Sequence, residues 1–308
     1  MFKETINRNI GIQHTTAAHL LASFSKELLL FKGNIMKKII ILLLLIAVSA
    51  FAVSDAKKVR YLDTVKDLIV ATQKTRGGTY NFLNGSEFAQ FGVFDQRSKI
   101  KSSFKSLNRQ FNVVGPKIDG EFDKLYKQMK SLNKLAFQLD PLTSFKAYSS
   151  LIRKMISLGG KVQVELYGDG NDFEKASSRL MMNDIMRLTE GLGKLRGLGS
   201  GIAARGNCED EEVEYMESYV EEVSINMDKV IKTMLNLNKK YSDNYPAGLN
   251  LKLVKYKNDV KAYVKLAEMK LIEKETIDVD SNKYFKQGTD LISGAIKFYK
   301  MNAKALKD

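Results

Sequence analysis

The chain has 308 residues, with 49 Lys and Arg against 35 Asp and Glu, so its formal charge is +14. A single cysteine excludes an internal disulfide framework and any multi-cysteine metal site. A hydrophobic share of 44% excludes wholesale disorder, and only 3 prolines in this length favour long uninterrupted helices.

Residues 1–35 show neither a helical nor a strand period, and they precede a complete secretory signal. They read as upstream sequence translated from an early start codon. Met36-Lys37-Lys38 opens the signal, Ile39 to Val48 form its apolar run, and Ala50-Phe51-Ala52 fits the small-x-small cleavage rule. The apolar run is shorter than the ~20 residues needed to span a bilayer. The sequence therefore predicts a cleaved signal peptide over residues 36–52 and a periplasmic protein. The alternative is an uncleaved signal that anchors the chain in the inner membrane. The leader carries six basic and two acidic residues, so the expected mature chain from Val53 to Asp308 keeps a charge of +10.

Both histidines, His14 and His19, fall in the leader. A mature chain without histidine has no Ser-His-Asp or Cys-His catalysis and no His-ligated metal site. With no nucleophile motif and no phosphate loop either, neither an enzyme nor a cofactor is expected. Nucleic-acid binding is not expected of an exported protein, despite the basic balance.

Beyond residue 53 the apolar positions recur at alternating steps of three and four. One such run is Ile118, Phe122, Leu125, Met129, Leu132, Ala136, Leu139. Another is Val213, Met216, Val220, Val223, Met227, Val230, Met234, Leu237. These are narrow seams of the kind antiparallel bundles bury. Helices are predicted at 55–84, 87–113, 117–139, 142–158, 172–205, 209–243, 247–274 and 279–306. Pro116, Pro141 and Pro246 are expected at helix starts. Asn84-Gly85, Gly159-Gly160 and Gly206-Asn207 are expected at helix ends. The stretch 160–171, KVQVELYGDGND, is the least helical and is expected to be a loop or a short strand pair. It would join a first half, 53–159, to a second, 172–308. The fold class is all-α: about eight long antiparallel helices in two four-helix bundles. The acidic run from Glu209 reads as a helix N-terminus favoured by the macrodipole. Cys208 reads as a small buried hydrophobe rather than a reactive thiol.

Two segments stand out. Gln73 to Gly85 reads QKTRGGTYNFLNG, and Gly193 to Gly206 reads GKLRGLGSGIAARG. Arg76 aligns with Arg196 at an offset of 120 residues, and the offset also matches Val65 with Ile185, Leu68 with Leu188, Lys74 with Lys194 and Gly77 with Gly197. This is the pattern of a duplicated helical unit. In both helices the apolar seam is interrupted by an arginine, flanked in the first by Thr72 and Thr79. A guanidinium facing a bundle interior needs a partner, because an unpaired buried charge costs several kcal/mol. Each interior glycine costs about 1 kcal/mol relative to alanine. Together these costs suggest a space kept open for a planar oxyanion, which the guanidinium fork suits. The competing expectation is that the arginines pair with carboxylates such as Asp123 or Glu165 and that the glycines merely permit close packing.

The Gln-x-x-Arg-Gly arrangement of Gln73, Arg76 and Gly77 resembles the nitrate- and nitrite-sensing (NIT) domain family. It is also similar to periplasmic sensor regions of methyl-accepting chemotaxis receptors. The segment Leu192 to Gly197 resembles the second Arg-Gly segment of that family. Thr75 departs from the pattern, since a Glu often precedes the arginine there. The resemblance implies two four-helix bundles with arginines near their interface that bind a small anion.

Two functions from different classes follow. One is an exported NIT-like sensor or binding protein for nitrate, nitrite or a similar anion. Arg76 and Arg196 would be the donors, Thr72, Thr79 and Gln73 would line the pocket, and Arg205 is a further candidate. Such a protein would report to a membrane receptor or sensor protein; homodimerisation stays open. The other is a ligand-free helical adaptor or envelope structural protein with a basic surface.

Overall fold

The computed structural model describes residues 53–307 except 88, 111–112 and 275, so the expected leader, 1–52, lies outside the described residues. Eight long helices follow one another: α1 (Asp55–Leu83), α2 (Ala89–Arg109), α3 (Pro116–Leu135), α4 (Pro141–Tyr167), α5 (172–205), α6 (Asp210–Lys240), α7 (Leu249–Ala267) and α8 (Ser281–Ala305). Among the described residues there is no strand, and no helix is long and apolar enough to cross a membrane.

Local chemistry explains most boundaries. Pro116 and Pro141 stand in the first turns of α3 and α4, where a missing N–H costs nothing. The Asp140 carboxylate caps α4 by accepting from Thr143 N at 2.8 Å. A reciprocal capping box between Glu209 and Glu212 opens α6, so part of the acidic run acts as a helix start. Gly206 ends α5 in the left-handed region, at φ 79°.

Three expectations are corrected. The stretch 160–171 holds no strand pair and is loop only over 168–171, since α4 continues unbroken to Tyr167. Gly159 and Gly160 lie inside that helix rather than at its end. A Cβ on Gly159 would come within 2.7 Å of the Met182 methyl, and one on Gly160 within 2.6 Å of the Asn183 amide oxygen. These glycines therefore admit α5 side chains. Pro246 does not start α7, which begins at Leu249 after Gly248 takes a left-handed cap at φ 76°. In addition, α5 is not one regular rod. It runs as Asp172–Arg179, a π-helical stretch Leu180–Ile185, and Met186–Arg205. The wider turn brings Leu180, Met181, Met182, Asp184 and Ile185 all into the interior.

Helix α1 packs against α2 and α4, and α3 against α4; α5 packs against α6 and α8, and α7 against α6. These are the two four-helix bundles. They meet where α1 lies along α5, and a single hydrophobic core runs through both halves. Both arginine helices are thus central.

Candidate functional site

Arg76 is fully buried in α1. Its Nη1 donates to Ser149 Oγ of α4 at 2.8 Å and to Glu190 Oε1 of α5, a buried ion pair. The guanidinium also lies over the Phe145 ring, 4.7 Å from its centroid. Gln73, one turn earlier, donates from Nε2 to the other Glu190 oxygen at 3.1 Å. One carboxylate thus gathers both polar residues of the Gln-x-x-Arg-Gly segment. The Nε–Nη2 edge of Arg76 has no hydrogen-bond partner among the described residues. That edge carries two parallel N–H groups, the geometry that grips two oxygens of a planar anion.

Arg196 is its counterpart in α5. Its Nη1 donates to Thr289 Oγ1 of α8 at 2.9 Å, and the group stacks on Phe285 at 4.6 Å. Its buried Nε has no partner, and no carboxylate forms an ion pair with it among the described residues. Burial, with the nearby Arg76 charge, pulls its pKa down to about 10, so it stays charged at neutral pH. The two guanidinium groups interlock with facing glycines. A Cβ on Gly193 would stand 3.1 Å from Arg76 Nη2, and one on Gly77 would stand 3.9 Å from Arg196 Nη2.

The remaining glycines are filled rather than open. A Cβ on Gly201 would overlap the Tyr80 ring, one on Gly199 the Tyr284 ring, and one on Gly197 would lie 2.9 Å from Phe145. Close packing accounts for these three. Gly77 and Gly193 face the guanidinium groups, and Gly288 of α8 packs against the Arg196 stem, where a Cβ would stand 2.8 Å from Arg196 Cβ. The arginines sit in a packed interior. Surface grooves of about 320 and 450 Å³ lie elsewhere, lined respectively by residues such as Lys124 and Lys154 and by residues such as Lys175 and Lys240.

The other expected residues divide. Thr72 is buried one turn before Arg76, but its hydroxyl is spent on Leu68 O at 2.8 Å and on Met155 Sδ. Thr79 Oγ1 is buried without a hydrogen bond, beside the Tyr148 hydroxyl. Arg205 belongs to a separate network at the far end of α5, where it donates to Glu212 at 2.6 Å, Asn84 at 2.9 Å and Tyr80 at 3.2 Å. Neither Asp123 nor Glu165 pairs with an arginine; Glu165 accepts from Gly115 N instead. Glu190 was not anticipated. It lies one residue past the seam threonine Thr189, and nothing in α5 alone marks that place for a carboxylate.

The nitrate and nitrite sensing (NIT) family model matches residues 67–293, a span that contains both arginine segments, Glu190 and Thr289. The chain belongs to the NIT family. NIT domains are sensory modules, and the Gln-x-x-Arg-Gly resemblance thus extends to most of the chain. The fold is also similar to the solved structure of the NasR transcription antiterminator. The TM-score is 0.61 and the identity 11%, over 82% of this chain and 68% of that one. At that identity the likeness carries the fold alone. No match was found among curated proteins.

Proposed function

We propose that this NIT protein is an exported sensor or binding protein for a small planar anion, nitrate or nitrite, held between Arg76 and Arg196. The carrying observation is the pairing of a free Nε–Nη2 edge on Arg76 with a buried, uncompensated Arg196 on the facing helix. A buried cation without a counter-charge is costly, and an anion arriving there removes the cost. Family membership supports the choice of nitrate or nitrite.

The site is closed, so an anion enters only when α1 and α5 part. Ligand binding then favours one packing of the two helices over another, which is how a bundle reports occupancy. The leader Met36 to Ala52 supports export, and a membrane receptor or sensor protein is the proposed recipient of the signal.

Thermal melts against nitrate, nitrite, formate, acetate, chloride and sulfate at fixed ionic strength test this. A ligand at 100 times its dissociation constant adds about 2.7 kcal/mol. In a chain of this size that is a rise of several degrees. A selective rise with nitrate or nitrite is expected. A flat response to all six would move the ligand-free adaptor to first place.

A further inference from the structure

We infer that Glu190 is a specificity-determining residue that restricts the Arg76–Arg196 site to a singly charged anion. The inference rests on the anion reading above and adds the charge of the ligand to it.

The argument is one of charge in a dry interior. Arg76 is fully buried, and Arg196 and Glu190 are nearly so. Lys194 stands at the rim and is already paired with Glu222 of α6, so that pair adds no net charge. Two buried cations against one carboxylate leave a single positive charge to be answered. A monoanion answers it; a dianion would overshoot and bury an unpaired negative charge. Glu190 also acts through Arg76. By taking Nη1 it leaves the Nε–Nη2 edge turned outward from the pair, so it is a positioning residue rather than a direct ligand.

Calorimetric titration of the full chain with nitrate and with sulfate, at fixed ionic strength, reads this directly. The wild type is expected to prefer nitrate. Glu190→Gln keeps the side-chain shape but removes its charge, and is expected to narrow the nitrate-over-sulfate preference by about tenfold or more. Losing a purely structural pair would weaken both anions together and leave their ratio alone. An unchanged ratio, or sulfate binding to neither protein, overturns the inference and leaves the anion reading standing. Failure of the wild type to bind nitrate overturns both.

Should Glu190→Gln not fold, the wild type titrated from pH 8 down to the onset of acid unfolding decides the matter. Arg76 and Gln73 of α1, Lys194 and Arg196 of α5, and Tyr219 of α6 face Glu190, with Ser149 of α4 behind Arg76 and Glu222 on Lys194. Burial pushes the Glu190 carboxyl above its ordinary range, against the pull of Arg76, Lys194 and Gln73. Both histidines of the full chain, His14 and His19, lie in the expected leader, so among residues 53–308 acidification over this range acts on carboxylates. Protonating Glu190 should shift preference toward sulfate as the substitution does; a preference constant across the range overturns the inference.

Discussion

Arg76 and Arg196 occupy equivalent positions 120 residues apart, yet they are held in opposite ways. Arg76 is fastened by a carboxylate, a hydroxyl and an aromatic ring. Arg196 has a hydroxyl and a ring but no carboxylate. The reason is visible in the repeat itself. The position 120 residues before Glu190 is Val70, so the acid exists in one half only. The same side chain at the same place therefore does two jobs. In α1 it is a fixed fork with one edge left free, and in α5 it is a surplus charge.

That contrast is sharpest in stability. Arg76→Ala strands the buried Glu190 and is expected to cost about 3–5 kcal/mol. Arg196→Met strands no acid and roughly conserves volume, so it should change stability by less than about 1.5 kcal/mol. Urea denaturation of both variants compares them, and equal losses would erase the distinction. Each substitution should also abolish the nitrate-induced rise in melting temperature.

The glycines offer a second contrast. Gly201→Ala drives a methyl into the Tyr80 ring and should cost about 1–3 kcal/mol through overpacking. Gly77→Ala meets Arg196 Nη2 at an ordinary 3.9 Å, so helix propensity should win and stability should rise by up to about 1 kcal/mol. A loss at position 77 as large as at 201 would mean that the space beside Arg196 is as tightly packed as that under Tyr80.

A smaller effect follows from pH. With its pKa raised, Glu190 binds its proton more tightly when folded than when unfolded. Its stabilising contribution is complete below the ordinary value of about 4.3 and is lost as pH rises through the folded value. From pH 8 to 5 the melting temperature of the wild type should therefore gain on that of Glu190→Gln. Asp119, also raised by burial and by Asp123 and Glu165, is common to both proteins and cancels. A constant difference between them would place Glu190 in the ordinary carboxylate range.

The smallest effect concerns Cys208, which is half-buried rather than fully buried. Burial and the nearby Glu212 push its thiol up to about 11, so alkylation by iodoacetamide at pH 7.5 should be far slower than for a free thiol. Rapid alkylation would show the α5–α6 turn opening in solution.

The helices, and the arginines on their seams, were legible from the sequence by itself. Both follow from spacing within one segment, where a step of three or four residues fixes which side chains share a face. Gly206 was legible for the same local reason, since a left-handed backbone favours glycine. Two glycines inside α4, read as a stop, showed the limit. Their meaning depends on Met182 and Asn183 arriving from another helix. The site divides in the same way. Arg76, Arg196 and Gln73 could be named in advance because they interrupt or border an apolar stripe. Glu190 could not, because nothing within its own helix requires a carboxylate there. Its partner stands 114 residues away in the chain, and only the packing of α1 along α5 brings acid, amide and guanidinium together. Local periodicity determined which residues face inward; tertiary contact alone decided which buried charge is answered and which is left over.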